Sequence, residues 1–149
     1  MIKKIVISAL ILLASCGYQP LYVGMDMKDT GFKKITVLGE KNINRKIISI
    51  LSLKEDEENK TLNEITFTSK KSISETSKDS KGQVLTFKTA IQINIKIMNN
   101  QKVIKERNFS EEFSYKNKEN KFDLREYQNQ IENNLINNIV EELIVFIKT

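Results

Sequence analysis

Between Leu85 and Ile97 the chain alternates almost without interruption. Leu85, Phe87, Ile91, Ile93, Ile95 and Ile97 fall on one parity, and Thr86, Lys88, Gln92, Asn94 and Lys96 on the other. In an extended chain successive side chains point to opposite sides, so this is a strand with one apolar and one wettable face. A slip of one residue would turn six large apolar side chains into water, and register is therefore pinned by the pattern itself. Whatever the rest of the chain does, it must cover one side of this strand.

Neighbouring stretches supply the partners. Lys33 to Leu38 alternates, with Ile35 and Val37 against Lys34 and Thr36, and Gly39 closes it. Leu62 to Glu75 alternates again through Ile65, Phe67 and Ile73, although Ser69 to Ser72 with Lys70 and Lys71 interrupts the rhythm. The polar run 76–82 reads as a hairpin loop, and Asn99-Asn100 as a tight turn, because Asn tolerates positive φ. From Lys102 to about Tyr115 a returning strand carries Val103, Phe109, Phe113 and Tyr115 on one parity, with a charged middle, Lys105-Glu106-Arg107. Such weak patterning suggests a bulge or an edge position.

Two stretches have helical spacing instead. Asn42 is placed to cap a short helix in which Ile43, Ile47, Ile50 and Leu51 recur at i, i+4, i+7 and i+8. Near the end, Asp123 and Glu126 are spaced as a capping box, with Phe122 and Tyr127 as a hydrophobic staple. Leu124, Tyr127, Ile131, Leu135, Ile139, Leu143 and Phe146 then follow at threes and fours, joined from Ile136 onward by Val140, Ile144 and Ile147. This helix should begin as a surface element and end nearly buried, over roughly 24 residues or about 36 Å. The order β-α-β-β-β-α predicts an α+β two-layer sandwich: one four-stranded mixed or antiparallel sheet with two helices on one face, in a single domain over residues 33–149.

The first residues have a different character. Met1-Ile2-Lys3-Lys4 is cationic, Ile5 to Leu13 is apolar apart from Ser8, and Ala14-Ser15 leads into Cys16, the only cysteine of the 149 residues. From Ile5 to Ser15 a helix would rise only about 16 Å, against a hydrocarbon core of roughly 30 Å, so the run is a cleavable signal peptide rather than a membrane span. Leu13-Ala14-Ser15-Cys16 resembles the lipobox of bacterial lipoproteins. That resemblance implies cleavage of residues 1–15 and a diacylglyceryl thioether on Cys16, whose new amino terminus is then acylated. Several chains on one residue give stable attachment where a single chain gives marginal binding. Residues 16–32 would form a lipidated linker, and Gly17, in place of Asp, implies delivery to the outer membrane.

Cys16-Gly17-Tyr18-Gln19-Pro20-Leu21-Tyr22 further resembles the start of the LptE family, the lipopolysaccharide-assembly lipoproteins, and Ser114-Tyr115-x-Asn117 before the last helix resembles a second stretch of that family. The resemblance implies a non-enzymatic protein on the periplasmic side of the outer membrane. It would plug the lipopolysaccharide-translocating β-barrel LptD and help to deliver lipopolysaccharide to the outer leaflet. Its partners would be an LptD-like barrel, lipopolysaccharide and, through its own lipid, the membrane. Lipid A is anionic, so lysines are the implied contact chemistry: Lys116, Lys118 and Lys121 first, Lys70 and Lys71 second. The polar parity of the sheet would face the polar lumen of a barrel. An accessory subunit of another envelope lipid-transport complex would have the same anchor and composition.

Composition narrows the remaining classes. The chain has no His, the commonest metal ligand and general base, and lipidation would consume the only thiol, so neither a cofactor beyond the covalent lipid nor catalysis is expected. The nearest approach to a hydrolytic cluster is Ser114 and Tyr115 beside Glu111 and Glu112. Glu55-Asp56-Glu57-Glu58 lacks the alternating ligands and the glycine of a calcium loop and reads as a solvated run. Formal charge is +5, falling to +3 (22 Lys and Arg against 19 Asp and Glu) once Lys3 and Lys4 are removed, too little to argue for nucleic acid. One prediction follows from the anchor: Cys16→Ser should leave an uncleaved or soluble precursor insensitive to globomycin, and an unchanged membrane fraction would refute lipidation.

Overall fold

A computed structural model describes residues 31–56 and 63–148. The expected signal peptide, Cys16, the motif 16–22 and Glu57 and Glu58 lie outside the described residues. Six elements follow one another: β1 (Lys34–Gly39), α1 (Lys41–Ile50), β2 (Asn63–Lys78), β3 (Val84–Asn99), β4 (Lys102–Lys116) and α2 (Lys121–Lys148). The strands form one sheet in the order β1-β2-β3-β4. β1 runs parallel to β2 and the other pairs are antiparallel, so the expected α+β architecture is found with a mixed sheet. A parallel pair needs a crossover, and α1 supplies it.

Alternation decides what is covered. Ile65 stands opposite Ile97, Phe67 opposite Ile95, and Ile93 opposite Phe109, and all six are buried beneath both helices. α1 contributes Ile43 and Ile47 to this core, joined by its C-cap residue Leu51, while Ile50 is exposed. From α2, Ile131, Leu135, Ile139 and Leu143 are buried together with Ile136, Val140, Ile144 and Ile147, so the helix passes at Ile131 from a surface element to a half-buried one; it does not end nearly buried, because Asn137, Asn138, Glu141, Glu142 and Val145 keep its other face exposed. Phe32, at the end of the stretch read as linker, belongs to the body. It is 2% exposed and bridges in parallel to Glu55.

Several local readings shift. β2 runs straight through the polar interruption, because Ser69 and Lys71 face the helices and are used there. Ser69 Oγ accepts from the Glu40 backbone N–H at 3.0 Å and donates to the Glu40 carbonyl at 3.3 Å. Glu40, not Asn42, is the N-cap residue of α1, and it offers no side-chain cap. The loop expected over 76–82 tightens to a turn in which the Asp79 carboxylate accepts from the backbone of Lys81 and Gln83. The turn after β3 uses Asn100 and Gln101, both at positive φ, instead of Asn99-Asn100.

β4 is an edge strand with no bulge at its centre; the register shift of this pair lies at Ile97/Met98. Its charged middle sits at the rim of the core, where the Arg107 guanidinium lies 4.9 Å from the Phe109 ring and the Lys105 ammonium 5.9 Å from that of Phe146. Long charged side chains can thus cover apolar surface while keeping their heads wet. The capping box at Asp123 is not formed. α2 begins earlier, capped by Asn120, whose Oδ1 accepts the Phe122 N–H at 2.8 Å, and Phe122 is left 71% exposed with no staple. Asp123 instead lies in the first turn, where its charge suits the helix dipole. Glu55, read as part of a solvated run, accepts the outward N–H of Ile35 at 2.7 Å and so blunts the β1 edge.

Gly39 makes the reversal from β1 into α1 at φ +83°, and a Cβ there would collide with the Ser69 carbonyl oxygen. Gly39→Ala should therefore cost roughly 2 kcal/mol or more, read as a fall in the urea midpoint. An unchanged midpoint would show that this turn relaxes freely.

Candidate functional site

Helix lengths leave one end of the sheet uncovered. β2 and β3 each have 16 residues, about 53 Å of strand, whereas α1 has ten, about 15 Å of helix. α1 packs over β1 and the first part of β2, so Ile73, near the far end of β2 on the helix side, is exposed although its parity is that of the core. Between this end and the start of α2 lies an open groove of about 1220 Å³, with Leu85, Phe87 and Leu124 among its apolar lining.

Cations rim it. Lys116 ends β4, Lys118 is in the connecting loop, Lys121 opens α2 and Arg125 follows one turn later, with Glu119 the only acid among the lining residues. The loop is pinned rather than free: the Asn117 N–H donates to the Leu85 carbonyl and its side-chain Nδ2 to the Val84 carbonyl, both at 2.8 Å, while its Oδ1 accepts the Lys118 N–H. Lys118 Nζ lies 4.5 Å from the centre of the Tyr127 ring, a cation-π contact. Tyr127 packs edge-on against Tyr115, which stacks on Phe87. The Tyr115 hydroxyl shares a hydrogen bond with Thr89 Oγ1 at 3.1 Å and accepts one from Gln128 Nε2 at 2.9 Å. Tyr115 and Asn117 thus have structural work, closing β4 onto β3 and onto α2.

The three leading lysines are therefore brought together. The second pair is separated, because adjacent strand residues point to opposite faces. Lys70 is exposed on the helix-free side, and Lys71 lies under the helices. Arg125 is the groove cation that sequence reasoning missed; four residues after Lys121, it shares a helix face with it once α2 is known to start at Lys121 rather than Asp123. The cluster around Ser114 is split across the sheet in the same way, Glu112 sharing the helix-free face with Ser114 while Glu111 and Tyr115 face the helices.

That helix-free face is polar and is not covered by any described residue. Across its middle run Thr66, Thr68, Lys70, Gln92, Asn94, Lys96, Asn108 and Ser110, with Leu38, Ala90, Met98 and, opposite Met98 after the register shift, Val103 as apolar exceptions. Opposite charges meet across the strands, Lys88 with Glu112 at 3.0 Å and Lys96 with Glu106 at 3.4 Å, and Asn94 donates to Asn108 at 2.8 Å. Among the described residues there is no group of three metal-ligating side chains, and no helix long and apolar enough to cross a membrane.

Solved structures were found with this arrangement. The fold is shared with bacterial lipoproteins. Rare lipoprotein B from Shewanella oneidensis superposes with a TM-score of 0.53 at 9% identity, covering 75% of this chain and 93% of that one. Lipoprotein B from Nitrosomonas europaea gives 0.57 at 10% identity over 76% and 79% of the two chains. A lipoprotein from Caulobacter crescentus gives 0.54 at 6% identity over 78% and 86%. At such identities the likeness is one of fold. No family model and no curated protein sequence matches the chain.

A second charged feature ties the two helices to the sheet. Glu132 of α2, nearly buried, accepts from Lys46 of α1 at 2.8 Å and from Lys71 of β2 at 2.5 Å. Burial alone would raise the carboxyl pKa, but the hydrogen bonds and charges of the two lysines outweigh it and hold the group below its ordinary value. A depressed folded-state pKa means stability that is present above the unfolded pKa and lost as pH falls through the folded one. Glu132→Gln should destabilise by about 1–3 kcal/mol at neutral pH, and the gap between variant and wild type in thermal melts should close as pH falls through the ordinary carboxylate range and below it. A gap that stayed constant across that range would remove the ion pairs as its cause.

Proposed function

We propose that this chain is a lipid-anchored, non-enzymatic component of lipopolysaccharide assembly of the LptE kind, held by lipid on Cys16 at the periplasmic side of the outer membrane and seated in the lumen of an LptD-like β-barrel. The observation that carries the reading is the broad polar face opposite the helices. Burying such a face against an apolar partner would strand its hydroxyls, amides and charges without partners, whereas a polar barrel lumen can match them. The Cys16-to-Tyr22 motif and the fold shared with lipoproteins support the same assignment. No cofactor enters beyond the covalent lipid.

The groove gives this role its ligand chemistry. Lipopolysaccharide has an anionic headgroup on acyl chains, and the groove sets cations around an apolar floor. Lys116, Lys118 and Lys121, with Arg125, would engage the anionic groups, Arg125 through its planar fork. Co-purification tests the partner: a stable one-to-one complex with a large β-barrel is expected, and recovery only with inner-membrane ATPase components would make the chain an accessory of another lipid-transport complex. Reversing the charge of Lys116, Lys118 and Lys121 together should weaken lipopolysaccharide binding. Because all three are exposed, the melting temperature should hardly move. Equal binding by the triple variant would take these lysines out of the site.

A further inference from the structure

A second cleft, of about 990 Å³, runs between α1 and α2, away from the basic groove. Asn129, Asn133 and Asn137 line it from α2 at intervals of four residues, facing Asn42, Arg45 and Ser49 of α1. Four residues of helix rise about 6 Å. Two residues of an extended chain advance about 6.6 Å. The carboxamide ladder is therefore nearly in step with every second peptide unit of a strand laid along the cleft. Asn129 and Asn137 each offer a donor and an acceptor side by side, the complement of a peptide unit's own acceptor and donor, while Asn133, whose Oδ1 accepts from Lys46, offers its Nδ2 donors.

The cleft is also prepared electrostatically. Its floor is the Glu132 ion pairs, in which both carboxylate oxygens are occupied and Lys46 donates additionally to Asn133 Oδ1 at 2.8 Å. Glu132 is the only acid among the lining residues, against Arg45, Lys46 and Lys71. Arg45, Asn129 and Asn137 are exposed and make no side-chain hydrogen bond or ion pair with the described residues. No aromatic ring lines the cleft to stack on a sugar or a base.

We propose that this cleft binds an extended polypeptide segment bearing acidic side chains, its backbone held by the Asn129-Asn133-Asn137 ladder and an acidic group by Arg45. Backbone recognition tolerates sequence, so a generic probe suffices: a fluorescein-labelled octapeptide of alternating Thr and Glu, titrated by anisotropy against the full chain in neutral detergent. Saturable binding is expected, with Asn129→Ala/Asn137→Ala weakening it about tenfold or more and Arg45→Ala reducing its dependence on salt. The same peptide methylated on alternate backbone nitrogens should lose affinity to a similar extent. Three results would overturn the proposal: equal affinity in the double variant, indifference to backbone methylation, or tighter binding of an oligogalacturonate that the same variant abolishes, which would make the cleft a saccharide site.

Discussion

The whole structure depends on one constraint, the two-residue period of β2 and β3 locked into antiparallel register. Pairing Ile65 with Ile97 and Phe67 with Ile95 sends the isoleucines and phenylalanines of the central strands to one side and most of their hydroxyls, amides and lysines to the other, with Ser69, Lys71 and Thr89 kept on the helix side and Met98 on the polar one. Both helices must then lie on the apolar side, since only there can they bury their own stripes. The polar face is thus the necessary by-product of building the core, and its cross-strand ion pairs and amide contacts keep it ordered without making it apolar.

Within that frame, length mismatch shapes the basic groove. A ten-residue helix cannot roof a 16-residue strand, and the unroofed end of the sheet becomes a groove whose floor is displaced core. The final loop crosses this end, so Lys116, Lys118 and Lys121 are carried to its rim by chain path, not by any preference of lysine for the site. Asn117 and Asn120 hold the loop and the helix start in place, which fixes the backbone from which the cations of the rim project. At the opposite flank the Glu132 ion pairs fasten α1, α2 and β2 to one another, and the same contact sets the spacing of the inter-helix cleft.

The polar face, the basic groove and the shared fold bear on function in different ways. The fold likeness to lipoproteins comes with almost no sequence identity, as expected when alternation and helix spacing, rather than particular residues, specify an architecture. Particular residues instead build the surfaces: a wettable flank, and a groove that combines charge with apolar contact.

By itself the sequence determined the order of the six elements, the buried parity of β3, the two buried rows of the latter half of α2 and the gathering of three lysines before it, because each follows from spacing along a continuous stretch. Tertiary structure alone decided the rest. Ser69 and Lys71 looked like a break in β2 until their partners, Glu40 and Glu132, came from 29 residues before and 61 residues after. Asn120 displaced Asp123 as the cap because the loop tied down by Asn117 delivers the chain to α2 one turn early. Arg125 joined the groove, and the asparagines of α2 became a ladder, only when a second element faced them. Long-range partners have no signature in local spacing, since the pairing energy of a polar group depends on what the fold brings opposite it.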